Sequence, residues 1–101
     1  MVNQSLKNKK IIISAGASGI GWSAAKLFLN RGATVYICDI DKNLIKKAKK
    51  HPQNNKKLFS YECDASNENE VSSFFKQVLK KTKKIDALIN NVGIAGPIVT
   101  I

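Results

Sequence analysis

A glycine-rich segment near the amino terminus has the residue types and spacing of a phosphate-binding turn. Residues 11–21 read Ile-Ile-Ile-Ser-Ala-Gly-Ala-Ser-Gly-Ile-Gly, so an apolar, β-branched run leads through glycines into a helical pattern that begins near Ile20. A helix N-terminus has unpaired backbone N–H groups and a partial positive charge, and glycines let the backbone approach a pyrophosphate closely. The segment therefore predicts a site for the phosphates of a nucleotide.

Three polar residues, Asp39, Asp64 and Asn90, each follow directly on an apolar, strand-like run. An acidic side chain at the end of the second strand can accept hydrogen bonds from both ribose hydroxyls of an adenosine. A 2′-phosphate there would meet like charge, an opposition of roughly 1 to 4 kcal/mol at ~4 Å. This favours NAD over NADP, although Lys42 is near enough in sequence to reduce the repulsion. An alternative role for Asp39 is the N-cap of the following helix, which Asp41 could equally supply.

Alternating strands and helices must position these side chains. The strands are predicted at about Lys10–Ser14, Thr34–Cys38, Leu58–Cys63 and Ile85–Ile89, with one helix in each interval between them. Gly32 is expected to supply the left-handed residue that ends the first helix, and Asp41 is expected to open the second. The order β-α-β-α-β-α-β predicts a parallel sheet with right-handed crossovers.

The apolar residues predict which helix faces are buried. In the first helix the stripe is expected to consist of Ile20, Ala24, Leu27 and Phe28, with Trp22 partly exposed outside it. In the third helix the core face is expected to consist of Val71, Phe74, Phe75, Val78 and Leu79. The fold class is therefore α/β, a Rossmann-type doubly wound sheet of strand order 3-2-1-4. Ligands of such sheets bind at the switch point between strands 1 and 4.

Three separated motifs resemble the signatures of the short-chain dehydrogenases/reductases. Residues 14–21 are similar to the family's Thr-Gly-x-x-x-Gly-x-Gly, and residues 90–93, Asn-Asn-Val-Gly, are similar to its Asn-Asn-Ala-Gly. Ser14 replaces the threonine but keeps the hydroxyl, and Val92 adds bulk where the family has alanine. Ala15 replaces the first glycine, so we expect it in an ordinary backbone region rather than at positive φ.

The resemblance implies an oxidoreductase that transfers a hydride between NAD(H) and an alcohol or carbonyl substrate. It places Asp64 and Ala65 at the adenine and residues 90–93 along the path to the nicotinamide. The implied cofactor-binding residues are Ser14, Ala15, Gly16, Ala17, Ser18, Gly19, Ile20, Gly21, Asp39, Asp64, Ala65, Asn90, Asn91, Val92 and Gly93. NAD is the expected cofactor, NADP the less favoured one, and no metal is expected.

The family's catalytic Tyr-x-x-x-Lys pair has no match in this sequence. The residue four positions after Tyr36 is Ile40, and the residue four positions after Tyr61 is Ala65. We therefore nominate no catalytic residue. Residues 1–101 are interpreted as a partial NAD(P)-binding Rossmann domain without the catalytic half, with residues 1–7 as a loose leader, and are expected to be inactive alone. The alternative is a free-standing NAD-binding module or a partner subunit without catalysis.

Charge and composition argue against a nucleic-acid or membrane partner. The net charge is +10, from 17 Lys and Arg against 7 Asp and Glu, and Arg31 is the only arginine. Most lysines fall on the outward faces of two predicted helices, and arginine forks and stacking aromatics are lacking, so no nucleic-acid partner is expected. We expect no membrane contact, a cytoplasmic location, and free thiols at Cys38 and Cys63. The family resemblance implies that the complete enzyme is a homo-oligomer, whereas this chain could self-associate through its exposed fourth strand.

Overall fold

The computed structural model describes residues 5–14 and 19–90. The elements are β1 (Lys10–Ser14), α1 (Gly19–Asn30), β2 (Thr34–Asp39), α2 (Lys42–Ala48), β3 (Leu58–Glu62), α3 (Glu68–Lys81) and β4 (Ala87–Asn90). All strand pairs are parallel, and the sheet order is β3-β2-β1-β4. The predicted Rossmann-type order is therefore confirmed.

The strand register aligns the carboxyl ends of the central strands. Ser14, the last residue of β1, pairs with Cys38 of β2 and with Asn90 of β4. In a parallel sheet all strands end at the same edge, which we call the carboxyl edge, and the helices end near the opposite, amino edge. The polar residues predicted for the site thus lie at one edge of the sheet.

Both faces of the sheet are buried, each against its own helices. The face toward α1 and α2 buries Ile11, Ile13, Val35, Ile37 and Leu58. The face toward α3 buries Ile12, Tyr36 and Cys38, together with Phe74, Val78 and Cys63. Because both faces of β1 and β2 are buried, these strands are continuous apolar runs rather than alternating ones. Full burial of an isoleucine side chain stabilises a fold by roughly 1.5 to 3 kcal/mol. Cys38 and Cys63 are free thiols in the second cluster, as expected.

The predicted apolar stripe of α1 is only partly correct: Ala24 and Phe28 pack against the core, but Ile20 and Leu27 do not. The residues of α1 that are buried are Gly21, Ala25 and Leu29, whereas Ile20 is 80% exposed and Leu27 is 49% exposed. Glycine and alanine let the helix axis approach the sheet closely, so α1 packs Gly21 and Ala25 inward together with Leu29 and leaves Ile20 and Leu27 outside. Hydrophobicity alone does not reveal such a choice.

Trp22 is half-buried, as predicted for an aromatic outside the main stripe. It packs partly against the core and meets the His51 ring edge-on at a centroid distance of 5.8 Å. In α3, Phe74 and Val78 are buried as predicted, but Leu79 is 51% exposed because it lies at the margin of the apolar face. The helix itself is confirmed.

Side chains and a glycine define the helix ends. Asp41 caps α2 by accepting the N–H groups of Asn43 and Leu44 at 2.9 and 3.2 Å. Asn67 caps α3 in the same way. Gly32 follows α1 with φ +96°, which confirms the predicted left-handed residue. Leu6, assigned from sequence to a loose leader, donates its N–H to the Arg31 carbonyl at 2.8 Å and packs partly against the core.

β4 is an edge strand of the described sheet. It begins at Ala87, two residues later than predicted, and all four of its residues are half-buried. The expected self-association through this edge stays a prediction.

The entry into β4 is fixed by Asp86. Its carboxylate accepts the Lys10 N–H at 2.8 Å, its own N–H donates to the Lys10 carbonyl at 2.8 Å, and Lys84 Nζ lies 3.2 Å from the carboxylate. The Lys10 N–H, with a smaller contribution from Lys84, lowers the pKa of the Asp86 carboxyl below its ordinary value. The charged form is therefore favoured by folding.

We expect Asp86→Asn to destabilise the fold at pH 7 but not below the carboxyl's folded-state pKa. A depressed pKa contributes stability that is present above the unfolded value of about 3.9 and is lost as pH falls through the folded value. Urea unfolding of both proteins at pH 7 and at the lowest pH at which both remain folded measures this, and each protein is its own control between the two conditions. An equal stability difference at both pH values would contradict the assignment.

Candidate functional site

Ser14 and Asn90 join β1 and β4 at the carboxyl edge. The Ser14 hydroxyl lies 3.0 Å from the Asn90 side-chain oxygen Oδ1 and 3.5 Å from the Ile89 carbonyl oxygen. The strand register places the two residues opposite each other, although 76 positions separate them in the chain. The structure thus brings together one residue from each of the two turns that sequence analysis assigned to a single site.

Asp39 ends β2 with its side chain largely enclosed, at 7% exposure. Its Oδ1 accepts the Asp41 N–H at 3.0 Å, and its main-chain carbonyl accepts the Cys63 N–H at 3.0 Å. Asp41, not Asp39, caps α2. Asp41 therefore has the N-cap role that was left open for Asp39, and the Asp39 carboxylate is held at the end of β2.

Lys42 lies beside this position but faces a carboxylate of its own. Its Nζ is 3.8 Å from the Glu62 carboxylate at the end of β3, and both side chains are exposed. Such surface pairs contribute only about 0 to 1 kcal/mol because solvent screens them. The Glu62 carboxylate is nevertheless a second negative charge near the end of β2. It offsets the positive charge of Lys42.

Asp64 organises the turn between β3 and α3. Its Oδ1 accepts the Ser66 hydroxyl at 2.6 Å and the Ser66 N–H at 2.9 Å, and these two bonds lower the pKa of the Asp64 carboxyl. The Asp64 N–H donates to the Glu70 carboxylate at 2.9 Å. Sequence analysis missed Ser66 and Glu70. The available signal was the Asp-x-Ser turn and the three-residue spacing from the cap Asn67 to Glu70, typical of a capping box.

The N-terminus of α1 suits a negatively charged group. The helix begins at Gly19 and carries no acidic residue in its first turn. Gly19 has φ +55°, and a Cβ built there would have no atom within 4 Å. Ile20 projects outward, while Gly21 packs inward against the sheet. Residues 15–18 and 91–93 of the predicted site lie outside the described residues, as does the expected backbone geometry of Ala15.

A cavity of about 170 Å³ opens between the carboxyl ends of the strands and α3. Ser14, Ala65 and Asn90 contribute to its lining, so three predicted site residues meet there. Cys38 and the aromatic side chains of α3, Phe74 among them, supply an apolar part. An apolar pocket with a few polar groups is typical of a small-molecule site, and this volume is below the roughly 300 to 1,000 Å³ of whole-ligand pockets. It suits one ring of a larger ligand.

Sequence analysis missed the role of Cys38 in this cavity, because a cysteine inside an apolar strand carries no signal beyond core packing. Asp39 and Asp64 do not line the cavity but stand next to residues that do: Asp39 follows Cys38, and Asp64 precedes Ala65.

The described tyrosines are poor candidates for proton transfer. Burial raises the pKa of Tyr36, and burial together with the neighbouring Tyr36 raises the pKa of Tyr61. Both phenols therefore stay protonated near neutral pH and are not poised as bases. Within residues 5–14 and 19–90, the arrangement can bind and orient a ligand, but it offers no obvious acid or base.

None of the helices in the described ranges combines the length and apolarity needed to cross a membrane.

Comparisons with known proteins agree with this geometry. A family model described as "short chain dehydrogenase" matches residues 9–100. The chain is 40% identical, over 93 residues, to Short-chain dehydrogenase reductase 3c of Arabidopsis thaliana. That alignment covers 92% of this chain but only 36% of the plant protein.

Two solved structures are similar in fold. A hydroxysteroid dehydrogenase from Escherichia coli has a TM-score of 0.79 at 32% identity, covering 94% of this chain and 41% of that one. A 3-ketoacyl-(acyl-carrier-protein) reductase from Brucella melitensis, complexed with NADH, has a TM-score of 0.74 at 32% identity, covering 83% of this chain and 34% of that one. The chain thus spans between a third and two fifths of the length of these relatives.

Proposed function

This chain belongs to the short-chain dehydrogenase family, and we propose that it forms the cofactor-binding portion of an NAD-dependent oxidoreductase. The observation that carries the proposal is the meeting of Ser14 and Asn90 beside a cavity at the strand-order reversal. Doubly wound sheets bind nucleotides at this point because the connections diverge there and leave a crevice.

Each part of the cofactor has a matching part of this edge. The pyrophosphate is assigned to the N-terminus of α1, where backbone N–H groups and the helix dipole favour negative charge and no acidic side chain of the first turn competes. The adenine is assigned to the neighbourhood of Asp64 and Ala65, at the rim of the cavity. By the family resemblance, residues 90–93 are assigned to the path toward the nicotinamide. The polar rim and apolar depth of the cavity support this arrangement.

The preference for NAD over NADP rests on charge. The enclosed Asp39 carboxylate would accept the ribose hydroxyls and oppose a 2′-phosphate. Lys42 could have attracted that phosphate, but its ion pair with Glu62 offsets its charge. The NADH named with the Brucella reductase is a property of that protein, and it is consistent with a nicotinamide cofactor here.

Bound NAD supplies the hydride-accepting nicotinamide, while these residues bind and orient it. The complete enzyme is proposed to act on an alcohol or carbonyl substrate, as a cytoplasmic homo-oligomer. The 101 residues are proposed not to turn over alone, because no tyrosine among them has the Tyr-x-x-x-Lys spacing. Turnover of any alcohol with NAD by the purified chain would contradict that part of the proposal.

Calorimetric titration of the purified chain with NADH tests the binding. We expect saturable binding of one NADH per chain, weakened about fivefold by Ser14→Ala, because one hydrogen bond at the site contributes roughly 0.5 to 1.5 kcal/mol. Ser72→Ala, at an exposed position of α3, is the matched control and should bind like the parent chain. Absence of saturable binding by the folded parent chain, or equal effects of both substitutions, would refute the proposal.

A further inference from the structure

The charges of this chain are separated between the two edges of the sheet. Twelve of the 17 basic residues lie at the amino edge, in the last turn of a helix or in the segments that lead into the strands. They are Lys7, Lys9, Lys10, Arg31, Lys49, Lys50, Lys56, Lys57, Lys80, Lys81, Lys83 and Lys84. All seven acidic residues fall within the described ranges, and six of them lie at the carboxyl edge, which leaves Asp86 at the amino edge.

Helix dipoles explain only a small part of this separation. Each helix C-terminus carries about half a negative charge, so the three helices that end at the amino edge account for about one and a half of the twelve cations. Within the described ranges, Lys84 is the basic residue of this edge with an ion pair, to Asp86. A large positive surplus therefore remains, and it attracts anions to this edge.

A second cavity, of about 280 Å³, lies beside the edge strand β3 and extends from the amino edge as far as Tyr61. Lys49, after α2, and Lys81, in the last turn of α3, contribute the charged part of its lining. The amide side chains of Asn54, Asn55 and Gln77 contribute hydrogen-bonding groups. The cavity is thus cationic and rich in donors.

Ser60 gives this cavity a polar group that the fold itself leaves unused. The residue lines the cavity at 9% exposure, and its hydroxyl has no hydrogen-bond partner among the described residues. The Tyr61 hydroxyl is also buried without a partner in this part of the chain, but side chains alternate along β3, so it lies on the opposite face of the strand from Ser60. Buried hydroxyls without partners are costly and rare, so the Ser60 hydroxyl in a cavity that two lysines also line points to a ligand that accepts hydrogen bonds.

We propose that the cavity formed by Lys49, Lys81, Ser60 and the neighbouring amides binds the phosphate group of a small phosphorylated molecule. Lysine ammonium groups, amides and a hydroxyl are all donors, and phosphate oxygens are acceptors. Lys81 Nζ lies 4.8 Å from the centre of the Phe59 ring, a cation–π contact that holds the ammonium at the cavity wall. The volume is near the lower end of ligand pockets, which fits a phosphate with a short organic group.

This site is separate from the proposed cofactor site. It lies along the edge strand β3, whereas the cavity of Ser14 and Asn90 lies beside β1 and β4, and the two cavities share no lining residue, so the two ligands would not compete. A nucleic-acid backbone is the less favoured source of phosphate, because arginine forks are missing: the single arginine, Arg31, is not among the lining residues. Proteins that bind single-stranded nucleic acids also stack bases on exposed aromatic side chains, and such stacking aromatics are lacking among the described residues as well.

The test is an NMR titration of the full chain with inorganic phosphate and with ribose 5-phosphate, at constant ionic strength set with sodium chloride. We expect the amide signals of Ser60, Asn54 and Lys81 to shift saturably, with ribose 5-phosphate at least as tight as phosphate. The double variant Lys49→Gln/Lys81→Gln should weaken binding about fivefold or more, since each exposed charge contact is worth a modest factor. The control Lys46→Gln/Lys76→Gln removes the same charge from the same helices and should change binding less than about twofold.

Ser60→Ala should weaken binding while thermal unfolding shows that the sheet remains folded, which separates recognition from stability. Equal effects of the two lysine double variants, or shifts that never saturate, would overturn the proposal. It would also be overturned by a 12-nucleotide RNA that binds with steep salt dependence and leaves the Ser60 amide unchanged, because the edge would then recognise a polymer without using the cavity.

Discussion

Replacing Gly19 by valine is expected to weaken NADH binding by about 100-fold or more while the sheet remains folded. Gly19 opens α1 with φ +55°, a conformation that costs an L-residue roughly 1 to 2 kcal/mol and is least tolerated by β-branched side chains. A Cβ there would meet no protein atom within 4 Å, so the substitution creates no clash among the described residues. Its side chain would instead occupy the open space beside the helix N-terminus, where the pyrophosphate is proposed to approach.

Gly32→Ala is the matched control for this substitution. Gly32 also has positive φ, +96°, but it lies at the amino edge, and its Cβ would stand 3.5 Å from the Lys7 backbone. We expect it to cost roughly 1 kcal/mol of stability and to leave NADH affinity unchanged. Urea unfolding and calorimetric titration of both variants separate the two effects. The assignment of the pyrophosphate to α1 fails if Gly19→Val binds NADH normally, or if Gly32→Ala weakens binding equally.

Asp39→Asn is expected to narrow the preference for NADH over NADPH by about tenfold or more. The amide is isosteric and can still accept the Asp41 N–H that Asp39 now accepts at 3.0 Å, so the turn after β2 should be preserved. Removal of the negative charge weakens the bonds from the ribose hydroxyls and relieves the repulsion of a 2′-phosphate, which is worth about 1 to 4 kcal/mol. NADH should therefore bind more weakly and NADPH more tightly.

The chain offers a control of the same charge two residues away. Asp41→Asn removes one negative charge as well, but asparagine is as good an N-cap as aspartate, so α2 should be retained. If the local contact of Asp39 decides the preference, Asp41→Asn should change the ratio of the NADH and NADPH dissociation constants by less than about twofold. Similar changes in both variants would mean that only the general negative potential matters.

Patterns local to the sequence predicted the elements and the ends of the strands. The apolar runs predict the four strands, Gly32 marks the end of α1 because the lack of a Cβ allows its positive φ, and Asp41 marks the start of α2 through its side-chain hydrogen bonds. The meeting of Ser14 with Asn90 followed from a simple property of parallel sheets, because their strands end at one edge.

Other features depend on contacts that no local pattern contains. The burial of Gly21 and Ala25 in place of Ile20 reflects how closely α1 approaches the sheet. Cys38 became a cavity residue only through packing between strand ends and α3. The lysines look like solvated helix faces in sequence, and only the common direction of the helices gathers them at one edge.

The hydrogen bond between Ser14 and Asn90 also has a consequence for the order in which the molecule assembles. It closes a span of 76 residues, whereas the pairing of β1 with β2 joins residues only 24 positions apart. Loop-closure entropy rises with the length of the span, so β1 and β2 can associate before β4 docks on the other side of β1. We therefore expect the proposed nucleotide site to be completed at a late step of folding, because Ser14 can meet its partner only after a ribosome has released the chain as far as Asn90.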